Sequence, residues 1–116
     1  MLNRCALIVR PRQPFIDWAT ALDADSVAPD PQGEQMVYLV PEFDDEDGAR
    51  EVLEQVYAHV FQSELYSWWT DEDDWPADRS LAAFEAWFAV EFHTIVVDLV
   101  DAPLEVETLE AAGPDE

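Results

Sequence analysis

The chain has no lysine, and its five cations are Arg4, Arg10, Arg12, Arg50 and Arg79. Against them stand 27 aspartates and glutamates, for a formal net charge of −22 in 116 residues. A nucleic acid or an anionic membrane is repelled by such a chain before contact, so neither is an expected direct partner. A basic protein surface is the electrostatically favoured one. Most of the carboxylates have no cation to pair with and belong on the surface, where water and salt screen their repulsion. The plain reading of that charge is solubility.

Cysteine is almost missing. Cys5 stands alone, which excludes an intrachain disulfide and any CxxC redox or metal motif. Long apolar runs are missing too. The opening "MLNRCALIVRPRQPF" has five consecutive apolar residues between arginines, too few for a signal-peptide core or a membrane span. A cytoplasmic location is the expectation. Glycine occurs three times, and never in the acidic stretch "WWTDEDDWPADRS". No internal repeat is visible.

Aromatics are plentiful: five Trp, six Phe and three Tyr. Disordered acidic chains are poor in such residues, so this one is expected to fold around them. Its length suits one domain. Residues 1–101 read as a single α+β domain and 102–116 as an acidic C-terminal tail.

Periodicity orders the elements. "RCALIVR" alternates as a strand, with Cys5, Leu7 and Val9 on one face and Ala6 and Ile8 on the other. In "PFIDWATALDA" the residues Phe15, Trp18, Ala19 and Leu22 fall at helical spacing, with Pro14 in the first turn. "SVAPDPQGEQ" is a turn-rich connection. "MVYLV", Met36 to Val40, is apolar on both faces and reads as an interior strand. The best helix carries Ala49, Val52, Leu53, Val56, Tyr57, Val60, Phe61 and Leu65 as a stripe, with the acids Glu42–Asp47 before it complementing its dipole. Ser80 caps a third helix with Leu81, Phe84, Trp87 and Phe88 inward. The period changes near Val90, and "FHTIVVDLV" reads as a third interior strand. Leu104–Leu109 suits a short edge strand. The predicted fold is α+β, a two-layer sandwich in the order β-α-β-α-α-β, its three- to four-stranded sheet packed by three helices. A parallel β-α-β start would be right-handed.

The segments "LIVRPRQPFIDWA", "VYLVPEFDDEDGA", "DWPADRSLAAFEAWF" and "EFHTIVVDL" resemble those of an uncharacterised family of small acidic bacterial proteins. The likeness runs to about Val100 and implies one whole domain. It implies no activity, cofactor or partner.

Four stretches are candidates for chemistry. Asp71–Asp74 offers oxygen ligands for a hard cation but lacks the glycine of a sharp loop. In "FDDEDGAREVLE", Asp45, Asp47 and Glu54 fall at calcium-loop positions, yet the first ligand position is Phe43, which cannot coordinate. Glu91 and His93 share a strand face and can form a carboxylate–imidazole pair, with no nucleophile placed beside them. His59 lies on the polar side of the long helix. Arg10 and Arg12 stand where a strand ends and a helix begins, a place for an anion or for internal pairing with Asp17 or Glu42.

No residue is assigned a catalytic role, and no metal or cofactor is expected. The Trp-rich loop supplies either a lid on the core or aromatic anchors ringed by acids, which suit Arg and Lys of a partner. The leading expectation is a non-enzymatic interaction or regulatory protein, a DNA mimic in its sharpest form. Trp69, Asp71, Glu72, Asp73, Asp74, Trp75, Glu51 and Glu54 are the expected partner-binding residues. One alternative is a small enzyme or anion-ligand binder using Arg10, Arg12, Glu91 and His93. Another is an accessory subunit acting through self-association, so both monomer and homodimer stay open.

Overall fold

The sheet is built on β1, Cys5–Pro11. In the computed structural model, which describes residues 2–22 and 35–105, β1 lies between β2, Val37–Val40, and β3, Phe88–His93, in the order β2-β1-β3. Both pairings are antiparallel. The β-α-β opening is therefore not a parallel crossover, and its handedness rule does not apply. Leu7 pairs with Tyr38 on one side and Phe92 on the other; Ala6 pairs with Leu39 and His93.

Three helices cover one face of this sheet: α1, Gln13–Leu22; α2, Glu46–Trp68; and α3, Leu81–Trp87. The predicted element order and two-layer α+β architecture hold. Alternation places Cys5, Leu7 and Val9 against the helices, where all three are buried. From the helices come Phe15 and Ala19 of α1, Val52, Leu53, Val60, Phe61 and Leu65 of α2, and Phe84 of α3. The rings interlock at offset and edge-on angles. Phe61 meets Phe88 at 5.6 Å and 88°, and Phe84 at 5.7 Å. Each such fully buried ring contributes roughly 1.5–3 kcal/mol from burial alone.

Local signals fix where the helices begin. The Asp45 carboxylate accepts from the Gly48 N–H at 2.8 Å and caps α2, with Glu46 and Asp47 in its first turn. Ser80 Oγ accepts from the Ala83 N–H at 3.2 Å and caps α3. Pro14 sits in the first turn of α1, where its missing N–H leaves no hydrogen bond unmade.

Three readings are corrected. β2 is an edge strand rather than an interior one: Tyr38 and Val40 face the helices, while Val37 and Leu39 remain exposed. The third strand is Phe88–His93, not the run from Phe92 to Val100, and it also lies at an edge. It stops there because its partner runs out, His93 pairing with Ala6 near the start of β1. Beyond it, one bond from the Leu2 N–H to the Val96 carbonyl continues the contact.

The helix-to-strand switch comes at Trp87–Phe88 rather than near Val90, with no glycine or proline. Phe88 serves both patterns, four residues after Phe84 on the helix stripe and two before Val90 on the strand. Its N–H closes the last helical turn on the Phe84 carbonyl while its backbone is already extended. The predicted connection "SVAPDPQGEQ", apart from Gln35, lies outside the described residues. So does the predicted edge strand beyond Glu105; Leu104 itself is in no strand.

Candidate functional site

The Trp-rich loop is closed by its own indoles. The Trp69 backbone N–H bonds the Leu65 carbonyl and ends α2. Asp71 then accepts from the Asp73 N–H and caps a single 3₁₀ turn, Glu72–Asp74. Trp69 Nε1 donates to the Asp74 carboxylate, Trp75 Nε1 to the Trp69 carbonyl, and Trp18 Nε1 of α1 to the Asp74 carbonyl, each at 2.9 Å. Trp68 and Trp75 also pack on the core, and the Arg79 guanidinium lies 5.8 Å from the centre of the Trp75 ring. Indole bodies are thus spent on burial and their N–H groups on the loop's own acceptors. All three loop tryptophans are half-buried. Asp71 and Asp74 have structural work, whereas the exposed Glu72 and Asp73 carry no side-chain partner among the described residues.

The expected partner-binding residues form two groups. Trp69, Asp71, Glu72, Asp73, Asp74 and Trp75 share this loop at the C-terminal end of α2. Glu51 and Glu54 lie near the other end, on its exposed side, roughly 20 Å back along the axis at 1.5 Å per residue. Glu54 and Glu85 share Arg50, which Glu85 holds by a direct hydrogen bond. Glu51 makes no ion pair among the described residues. The calcium-loop spacing does not form a loop: Asp45 is a helix cap, and Asp47 and Glu54 stand on one continuous helix.

Arg10, Glu91 and His93 do meet. Arg10 Nη1 donates to Glu91 Oε1 at 2.5 Å, and His93 Nε2 contacts the other carboxylate oxygen. Arg10 and then His93 hold Glu91 below the usual carboxylate range. The trio occupies the outer face of the sheet, away from the helices, because Arg10 and Glu91 are diagonal neighbours in the β1–β3 register. Arg12 is not with them. Its backbone N–H bonds the Trp87 carbonyl, and its exposed side chain has no partner among the described residues. The four side chains do not converge in one pocket. His59 is exposed on α2.

Two features escaped the sequence. Glu64 on α2 is drawn inward, accepting from the Tyr38 hydroxyl at 2.6 Å. Burial pushes its carboxyl above the ordinary range against the opposing pull of that hydrogen bond, and burial followed by the Glu64 charge pushes the Tyr38 phenol up. The second feature is aliphatic: Val37, Leu39, Ile95, Val97, Leu99 and Val100 stand largely in water. The signal was present in "TIVVDLV", but a run apolar on both faces reads equally well as an interior strand.

Among the described residues no helix is long and apolar enough to cross a membrane, and no three His, Cys, Asp or Glu side chains are grouped to hold a metal ion. No family model, curated protein or solved structure matches the chain.

Proposed function

We propose that this chain is a non-enzymatic, cytoplasmic interaction protein that binds a basic protein surface with the helix side of its sandwich. One observation carries the reading. Acid clusters lie at both ends of α2, Glu42, Asp44 and Asp45 before it with Glu46 and Asp47 in its first turn, and Asp71–Asp74 after it, with Glu51 and Glu54 on the exposed side between. Among the described residues only Glu54, Glu85 and Glu91 contact an arginine. Exposed acids such as Glu51, Glu72 and Asp73 make no ion pair among the described residues, which supports a role in meeting a partner's positive charge.

Spacing sharpens the reading to a DNA mimic. The 23 residues of α2 span about 34 Å at 1.5 Å per residue. One turn of duplex DNA is also about 34 Å, and this match in length supports the reading. The small-enzyme alternative has weaker support, because Glu91 is already held by Arg10 and His93 on an open sheet face. The test is displacement. A basic protein captured by this chain should be released by duplex DNA, while the chain alone leaves the mobility of the duplex unchanged. Capture that survives saturating DNA would count against mimicry, and direct DNA binding would count against the whole reading.

A further inference from the structure

Arg79 follows Asp78 and stands close in sequence to the acids Asp71–Asp74, yet it makes no ion pair among the described residues. Its guanidinium instead lies 5.8 Å from the centre of the Trp75 ring, and its Nη1 donates to the Pro76 carbonyl at 2.7 Å. Asp78, its neighbour, is engaged elsewhere, accepting from the Ser80 N–H at 3.1 Å. Trp75 is half-buried: it packs on the core, and its Nε1 donates to the Trp69 carbonyl. The ring is thus fixed from within the fold. A fixed indole together with the Pro76 carbonyl meets both needs of a guanidinium, which stacks on aromatic faces and carries N–H donors in its own plane. Arg79 is exposed, so this contact can be exchanged without opening the core.

We propose that the Trp75 ring and the Pro76 carbonyl form a subsite for an arginine side chain of the partner, which Arg79 occupies from within until that partner arrives. The inference rests on the reading of the helix side as a surface for a basic protein, and it names the group that surface grips. Glu72 and Asp73, exposed on the 3₁₀ turn just before Trp75, offer charge to any cation. The ring and the carbonyl add shape, and shape selects a planar guanidinium over a compact ammonium. Arg79 is then an autoinhibitory contact. The incoming arginine displaces a cation of its own chemistry, so part of its attraction to the ring is cancelled by the contact that Arg79 gives up.

Titration of the full chain with hexa-arginine at about 50 mM salt, where screening is weak, tests this. Arg79→Gln should tighten binding, but it also removes a positive charge, so the change is read in two backgrounds. With Trp75 in place the gain combines the charge effect with the freed ring. In a chain that also carries Trp75→Leu, only the charge effect is left. The gain should be about two- to fivefold larger with Trp75 present, as one cation–π contact at an exposed site provides. Nuclear magnetic resonance of the indole N–H groups gives a second reading, which holds even where Trp75→Leu does not fold. Of the five Trp signals, that of Trp75 should move most as peptide is added to the Arg79→Gln chain. Equal gains in the two backgrounds, or a Trp75 signal that moves no more than the others as the peptide binds, would overturn the subsite and leave the acidic surface standing. Binding of the peptide by none of the chains would overturn both.

Discussion

Glu64 is one carboxylate among 27 in the sequence, and only the fold distinguishes it. Tyr38 of β2 donates to it across the layers, and burial makes it hold its proton more firmly than in the unfolded chain. Its contribution to stability is therefore present below the ordinary carboxylate range and lost as pH rises through its raised folded value. Glu91 acts in the opposite sense, stabilising above the ordinary range and losing that effect as pH falls, but its exposed pairing makes the term small. Replacing Glu64 by Gln keeps an acceptor for Tyr38 and removes the buried charge. The variant should melt higher than wild type at pH 8, with the gap closing toward pH 4. An equal or wider gap at pH 4 would show that burial of Glu64 is not the cause.

Elements were legible where the signal is local. Asp45 and Ser80 announce helix starts because a cap is a contact between near neighbours. The apolar stripe of α2 announces its own buried face. Strand burial was not legible, since "MVYLV" and "TIVVDLV" carry no record of how many strands stand beside them. The same gap left the partner of Arg10 open between Asp17 or Glu42 and the alternative grouping with Glu91 and His93; it is Glu91, which the β1–β3 register brings near. One position in α2 turns this reasoning into a number. A Cβ on Gly48 would come within 2.9 Å of Phe43 Cβ, near the backbone, and 3.3 Å of the capping Asp45 oxygen. Ala is the better helix former by about 1 kcal/mol, but overpacking costs typically 1–3 kcal/mol. Gly48→Ala should thus lower stability by about 1 kcal/mol in denaturant unfolding; a gain would mean that Phe43 yields freely.

At the scale of the molecule, the two sides of the sandwich have different chemistry. The helix side presents carboxylates, while the outer sheet face sets the exposed Val37 and Leu39 beside the Arg10–Glu91–His93 cluster, with the core aromatics between sheet and helices. The acidic side was legible in composition, while the bare sheet face had to await the fold. Net charge of −22 also predicts how the fold responds to its medium. Self-repulsion should fall as salt shortens the screening length, so the melting temperature should climb from about 10 mM to about 500 mM sodium chloride. A flat or falling curve would mean that the carboxylates are already compensated in the folded chain.

The proposed role depends on an anionic helix ridge that engages positive charge on another protein. The most direct measurement is affinity capture from lysate on the immobilised chain, at low and at moderate salt, repeated with Asp71, Glu72, Asp73 and Asp74 changed to their amides. A basic nucleic-acid-binding protein should be retained at low salt, released as salt rises, and lost from the amide variant. Retention of no basic protein under either condition, or equal retention by the neutralised loop, would contradict the account.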